Sequence, residues 1–357
     1  MRRALSIFLL LLFAAVAAAG WVVWTLHGPY QNFAASGVFV DIPRGAARRT
    51  VARLLADQGV IRNRWLFEGL SRWRANRTLQ AGEYLFDRPT TPFEVFDKIA
   101  NGRIFVRELV VPEGFSTFEI ADLVAREGLT TRDDFLVAAR NPELARSFAP
   151  DAPSLEGFLF PATYQFPRHL SGQEITAAMV RRFQQEWQTV SAQGQNAAGL
   201  SVQQVVTLAS LVERETPQPN ERPLVAGVFL NRLNRRVPLQ CDPTVAYALE
   251  VAGQYSGKLE ARDLHFDSEY NTYRRIGLPP GPIANPGAMS MRAALDPAQT
   301  DLLYFVANAE GGHAFSKTLA EHDRNVAHYR QLLAEQRRAA RIASATAKTA
   351  TSPERSQ

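Results

Sequence analysis

The sequence predicts an α+β protein: an N-terminal transmembrane helix, a small strand-helix-helix-strand unit and a larger mixed α/β domain. Three observations predict it. An uncharged apolar run from Ala4 to Leu26 follows Arg2 and Arg3 and is long enough to span a bilayer. Between Val38 and Phe86, two runs of alternating polarity flank two segments with helical spacing. Beyond them, capped helical segments alternate with short strand-like runs, organised around SVQQVVTLASLVERETP, Ser201 to Pro217, which reads as one buried helix ending on an acidic residue. At 357 residues and 46% hydrophobic content the chain can bury a sizeable core and supports about two domains.

Trp21 and Trp24 stand at the far end of the apolar run, where interfacial aromatics belong, and no Lys or Arg follows Arg3 until Arg44. That asymmetry predicts a short cytoplasmic stub (1–3), an anchor (4–26), a tether (27–37) and everything else outside. Ala15 to Gly20 also offers small residues for signal-peptide cleavage. The apolar run continues past them to Leu26, which favours a retained anchor.

Val38 to Ile42 alternates as a strand, and Pro43-Arg44-Gly45 turns into a helix bearing Val51, Leu54 and Leu55, closed by Gly59. Asn63 caps a second helix through Trp65, Leu66, Leu70 and Trp73, and Gly82 to Phe86 returns as a strand. Thr91-Pro92 opens a connecting helix that Gly102 closes. Ile104 to Val111 reads as an interior strand. Capping pairs at Ser116/Glu119 and Thr131/Asp134 start two more helices, and Ser171 caps a long one to about Trp187. Leu224 to Leu233 is a further helix, carrying Asn231 and Arg232. Asp242 then stands as a natural N-cap before Pro243, an ordinary role that competes with a catalytic one.

Gly277 to Gly287 is a Pro-rich loop of few conformations, suited either to lining a groove as an exposed element or to bracing the core. Leu302 to Ala307 is strand-like, Gly311-Gly312 turns, and Thr318 with Glu321 caps a final helix. The tail 337–357, rich in Ala, Arg, Ser and Thr, reads as disordered.

The helix from Ser201 carries the acid candidates. Ser201 caps it, Val202, Val205, Val206, Leu208, Ala209, Leu211 and Val212 make one broad stripe, and Pro217 stops it near Glu215. Glu215 then projects toward the core side, where burial and the negative end of the helix dipole both disfavour its ionised form. A glutamate raised in this way can serve as a general acid. Glu213 points about 200° away, so both cannot enter one small site from one straight helix. The plainer reading leaves each as an edge-of-stripe glutamate, one of them paired with an Arg.

The sequence has no phosphate loop, no H-E-x-x-H and no G-x-S-x-G, and Cys241 is its one cysteine, so no intrachain disulfide forms. His313, His322 and His328 lack the i, i+4 spacing of helical metal ligands. The net charge of +5 suits an anionic surface or polymer, and the basic tail lacks the interleaved aromatics of a nucleic-acid binder. Neither cofactor nor metal is expected. By elimination the carboxylates carry the catalysis.

Leu211-Val212-Glu213-Arg214-Glu215-Thr216, Glu221-Arg222, Val228-Phe229-Leu230-Asn231-Arg232-Leu233 and Leu239-Gln240-Cys241-Asp242-Pro243-Thr244 together resemble the endolytic murein transglycosylases, the YceG-like group. The resemblance continues through Tyr270-Asn271-Thr272-Tyr273, the Gly277 to Gly287 loop, Tyr304-Phe305-Val306 and Gly311-Gly312-His313. It implies a single-pass inner-membrane protein, its N-terminus cytoplasmic and its catalytic domain periplasmic. The unit at 38–103, with its connecting helix, would be LysM-like, and 104–336 would be catalytic. It also implies cleavage of nascent peptidoglycan strands at the bond between N-acetylmuramic acid and N-acetylglucosamine, leaving 1,6-anhydro ends, and contact with peptidoglycan synthases.

In the family the second glutamate of the E-x-E-T pair is catalytic, which falls on Glu215. Gln240, Asp242, Asn271 and Tyr273 are the candidates for binding substrate, with Glu213, Thr216 and Asn231 in support. Cys241 stands where relatives often have a small polar residue, which argues against an essential role. A single carboxyl suffices if it protonates the glycosidic oxygen and then accepts the proton of the muramoyl 6-hydroxyl. Two alternatives stay open: a hydrolase with Asp242 as second carboxylate, and a non-catalytic peptidoglycan-binding anchor.

Overall fold

The computed structural model describes residues 2–350 except 169 and 197, and the chain forms two compact units. One comprises Met1–Leu109 with Tyr164–Leu170, the other Val110–Thr163 with Ser171–Gln357.

In the first unit, α1 (Arg2–His27) holds a 23-residue stretch, Leu5–His27, of mean hydropathy 2.5, whose apolar side chains from Leu5 to Val16 are exposed. The expected stub includes Met1, which lies outside the described residues. Strand β1 (Val38–Ile42) pairs antiparallel with β2 (Gly82–Phe86), Val38 opposite Phe86 and Ile42 opposite Gly82. Alternation along these strands buries Val40, Ile42, Tyr84 and Phe86. Helices α2 (Arg48–Asp57) and α3 (Arg64–Trp73) close over that face with Val51, Leu55, Phe67 and Leu70.

Asn63 caps α3 by accepting from the Trp65 N–H at 2.9 Å and the Leu66 N–H at 3.2 Å, an arrangement that stabilises a helix by about 1 kcal/mol. Helix α4 (Pro92–Ala100) opens on a reciprocal cap between Thr91 and Glu94 and adds Val95, Phe96 and Ile99 to the core. Strand β3 (Arg107–Val110) is shorter than the interior strand expected from Ile104 to Val111 and pairs only with β4 (Thr163–Phe166). Val110 at the end of β3 and Ile104 ahead of it are exposed.

The second unit is mainly helical: α5 (Thr117–Arg126), α6 (Arg132–Arg140), α7 (Gly172–Gln193), α8 (Val202–Glu215), α9 (Arg222–Asn234), α10 (Asp242–Val251) and α11 (Ala288–Leu295). A hairpin of β5 (Tyr304–Ala307) and β6 (His313–Ser316) follows, and then α12 (Leu319–Ala350). Helix α8 is the hub, packed by α9, α10 and α11.

Burial along α8 runs unbroken from Val205 to Val212, so the one-sided stripe expected from the sequence is corrected to a helix enclosed on every side. Thr207 and Ser210 tolerate this because their hydroxyls donate back to the carbonyls of Gln203 and Thr207, each at 2.7 Å. Ser210 Oγ also accepts the N–H of Ile283 at 3.1 Å.

That last bond belongs to the Pro-rich loop. Its residues 281–287 are all buried and brace the core, while Leu278, Pro279 and Pro280 line a cavity with Ser201, Gln203 and Gln204. Gly157, at φ +85°, lets the loop come this close, since a Cβ there would sit 2.4 Å from Pro282 and 2.8 Å from Val206. At the C-terminus, α12 continues to Ala350 where disorder was expected from Arg337. The alanines at 339, 340, 343, 345 and 347 are strong helix formers, and 351–357 lie outside the described residues.

Candidate active site

Ser201 and Gln204 cap the start of α8 reciprocally, and Thr216 ends it in an extended conformation imposed by Pro217. The last helical residue, Glu215, lines the inner end of a cleft of about 700 Å³, within the range of small-ligand sites. Gln240, Asp242 and Tyr273 line one wall. The β5–β6 hairpin supplies Tyr304, Phe305 and His313, and α12 supplies His322, Val326, Tyr329 and Arg330. Aromatic faces among hydrogen-bonding groups are the surface that sugar rings require.

Burial pushes the Glu215 carboxyl up to about 7, against a thiol hydrogen bond from Cys241, with nearby Asp242 raising it further and His313 opposing. Asp242 Oδ1 accepts the Tyr273 hydroxyl at 2.5 Å. Burial and this bond to Asp242 raise the Tyr273 phenol well above its usual value, so it remains a donor.

Glu213 leaves the helix elsewhere, as the turn angle requires. It pairs with Arg222 at 2.9 Å and accepts the Gly287 N–H at 2.9 Å, holding the Pro-rich loop and α9 to α8. Glu113 lies 3.8 Å from the same Arg222, and burial followed by repulsion from Glu213 raises its carboxyl.

Thr216 extends the site to a second acid. Its hydroxyl donates to Glu221 Oε2 at 3.0 Å, and Glu221 also receives the His313 N–H at 2.8 Å and engages His313 Nδ1 at 2.7 Å. Burial works against the Glu221 carboxylate, but the bonds from His313 and Thr216 outweigh it and hold Glu221 below the usual value. With Nδ1 engaged, Nε2 is the His313 nitrogen left to the cleft. Gly312 makes room, since a Cβ there would stand 2.4 Å from Glu221 Oε1. Among the described residues no group of three or more His, Cys, Asp or Glu is arranged to hold a metal ion.

The chain matches the YceG-like family over residues 40–328, a span that includes every residue of this cleft up to His328. It belongs to that family. A Bacillus subtilis relative, named endolytic murein transglycosylase, is 32% identical over 316 residues, covering 84% of this chain and 87% of its own length. A Streptococcus pneumoniae relative of the same name is 30% identical over 82% of this chain, which spans 58% of that longer protein. A solved yceG-like protein from Listeria monocytogenes is 34% identical, with a TM-score of 0.55 over 81% of this chain and 98% of its own.

Not every family-implied candidate meets in the cleft. Glu215, Gln240, Asp242 and Tyr273 do. Asn271 is corrected from a substrate contact to a loop brace: it is fully buried, and its amide donates to the carbonyls of Leu264 at 3.0 Å and Phe266 at 2.7 Å. Its oxygen takes the Tyr273 N–H at 3.0 Å, so it sets where Tyr273 stands. Asn231 braces likewise, donating to the carbonyls of Thr300 and Leu302 ahead of β5. It lines a separate cavity of about 610 Å³ whose one acid, Asp296, accepts the Gln195 N–H at 2.8 Å. Asp242 is the first residue of α10; the N-cap is Cys241, which makes no side-chain cap bond, so the capping role expected of Asp242 is not the one it has.

Four residues escaped the sequence reading of the site. Glu221 and His313 stand 92 positions apart and meet only through the hairpin. Arg232 is buried against the carbonyls of Leu303, Pro238 and Leu239, and its fourth contact, Gln240 Oε1 at 3.2 Å, orients that side chain at the cleft. Cys241 was read as dispensable, yet its thiol touches the Glu215 carboxyl. A usable signal existed for one of them: Gly-Gly before His313 marks a hairpin that aims the next residue inward.

Proposed function

We propose that this protein is a membrane-anchored endolytic murein transglycosylase. It cleaves the β-1,4 bond between N-acetylmuramic acid and N-acetylglucosamine within nascent strands, terminates their elongation and leaves 1,6-anhydro ends. The observation that carries this is a single carboxyl, Glu215, at about 7 on an aromatic-lined cleft, beside an Asp242 whose Oδ1 is held by Tyr273.

A carboxyl at that value is protonated in a large share of molecules near neutral pH. It donates its proton to the glycosidic oxygen as the bond to the muramoyl anomeric carbon breaks. The resulting carboxylate then takes the proton of the muramoyl 6-hydroxyl while that oxygen bonds to the same anomeric carbon. Atoms balance without water, and Glu215 returns protonated. Tyr273 and Asp242 face the oxocarbenium side, and His313 with Gln240 contacts the sugars.

In this reading α1 is retained in the inner membrane with its N-terminus cytoplasmic, supported by Arg2 and Arg3 on the near side alone. The β1-α2-α3-β2 order supports a LysM-like unit, and contact with peptidoglycan synthases follows from the same family reading. A hydrolase draws support from Asp242 in the cleft, since hydrolysis needs a second carboxylate. Mass spectrometry of glycan strands incubated with the full chain separates the two. New ends lighter by one water than hydrolysis products support transglycosylation, whereas reducing ends support the hydrolase.

A further inference from the structure

The segment from Arg44 to Arg77 holds nine arginines and two acids, a balance of +7 where the whole chain carries +5. The excess positive charge of the protein is thus concentrated on α2, α3 and their flanks. Arg72 pairs with Glu68, and Arg74 and Arg77 pair with Asp97, while Arg49, Arg53, Arg62 and Arg64 have no carboxylate partner among the described residues.

Three of these four converge. Arg49 and Arg53, one turn apart on α2, line a pit of about 160 Å³ with Arg64, Trp65 and Glu68 from α3. Arg64 lies 4.6 Å and Arg49 5.7 Å from the centre of the Trp65 ring. Trp65 is 55% exposed and Trp73 76%, and they share an outward stripe of α3 with Gly69 and Arg72. Large apolar rings left in water among unpaired guanidinium groups are costly unless a partner covers them.

The fourth arginine locates this face. Arg62 sits 4.2 Å over the ring of Trp24, in the last turn of the membrane-length helix, and 4.6 Å over Tyr30. Arg64 is two residues further along the chain, so its Cα lies no more than about 8 Å from that of Arg62. A headgroup layer is roughly 5–8 Å deep on each side of a bilayer. The pit therefore lies within reach of the headgroup layer if α1 spans the membrane.

We propose that the α2–α3 face docks on the bilayer that α1 enters, with the pit formed by Arg49, Arg53 and Arg64 holding the phosphate of an anionic phospholipid and Trp65 and Trp73 seated among the headgroups. Charge complementarity and continuity with the anchor select this occupant over the wall polymer, which would need no tryptophan at headgroup depth. Docking fixes the first unit against the membrane surface instead of leaving it on a free tether. The inference rests on the anchor reading of α1.

The test uses the full chain carrying Gly69→Cys, an exposed helical position where a Cβ meets nothing within 4 Å, in a protein whose one native cysteine is buried. The label is a polarity-sensitive fluorophore, and the chain is placed in nanodiscs of phosphatidylcholine alone or of equal parts phosphatidylcholine and phosphatidylglycerol. The expected result is quenching by headgroup-borne quenchers in the anionic discs, reversed by high salt. Arg49→Gln, Arg53→Gln and Arg64→Gln should each weaken docking about fivefold, and Trp65→Ala should weaken it without altering the salt dependence.

A label open to aqueous quencher in both discs, in protein that has incorporated, overturns the proposal. Protection by added glycan strands but not by lipid overturns it too, in favour of the wall polymer. Failure to incorporate at all strikes the anchor reading, and the docking proposal with it.

Discussion

Glu156 and Glu215 are carboxyls of the same unit that burial pushes up to about 7, yet their surroundings are opposite. Glu156 is 2% exposed and enclosed by donors: the Thr117 N–H reaches its oxygens at 2.9 and 3.1 Å, and the Asn285 amide reaches one at 2.8 Å. It ties the start of α5 to the Pro-rich loop. Glu215 borders open space, and its hydrogen-bond partner in the protein is the Cys241 thiol. The difference teaches that a raised carboxyl marks burial, and that only an adjoining cleft turns it into a proton donor for something else.

The sharpest break of this comparison is removal of the two acids in turn. Glu215→Gln should lower turnover about 10³-fold, read as loss of new glycan ends, with thermal stability at neutral pH unchanged or raised. Glu156→Ala should do the reverse. It leaves buried donors unanswered and should cost on the order of 3 kcal/mol in denaturant unfolding, while the folded fraction keeps its kcat/KM within about twofold. Equal loss of turnover from both variants would erase the distinction.

Glu213→Ala tests the third acid of the region. It strands Arg222 in the core and should destabilise by roughly 3–5 kcal/mol, again through unfolding and not through the chemical step.

Acidity sharpens the comparison further. Both carboxyls titrate near 7 in the fold against an ordinary 4.5, so the folded protein holds protons that the unfolded chain releases between those values. The stability they contribute is complete below about 4.5 and is lost as pH rises through about 7, roughly 3 kcal/mol for each group. Melting temperature measured against pH should show this fall in the native chain and a smaller one in either Gln variant. Only the Glu215 titration should appear in kcat/KM, which should drop about tenfold per pH unit above 7 because the general acid is ionised there.

The smallest expected effect is Cys241→Ala. Loss of a hydrogen bond that favours the Glu215 carboxylate should move this alkaline limb upward by less than about one pH unit. A His313→Gln variant should move it the same way, since His313 also favours the carboxylate.

Much of the local structure was legible in the sequence because its causes are local. Asn63, Thr91, Ser116, Thr131, Ser171 and Ser201 each accept from a backbone N–H two or three residues on, so a cap and its helix are written within four positions. The end of α8 was equally readable, because Pro217 acts on Thr216 by steric contact. The angle between Glu213 and Glu215 followed from helix geometry alone, and it put one on Arg222 and the other on the cleft. The family motifs named Glu215, and the sequence by itself determined the apolar N-terminal helix, the capped helices and the acid that ends the central one.

Tertiary structure decided what surrounds that acid. Asn271 could be a sugar contact or a loop brace until the carbonyls of Leu264 and Phe266 claimed its amide. The Pro-rich loop could line a groove or fill a core until Ser210 and Glu213 bound its second half, Ile283 to Gly287, from α8. Glu221, His313, Arg232 and Cys241 joined the site only when the β5–β6 hairpin and α10 folded back over the end of α8. Contacts between residues 26 to 92 positions apart depend on how separate elements pack, and no periodicity or capping rule within one element encodes that.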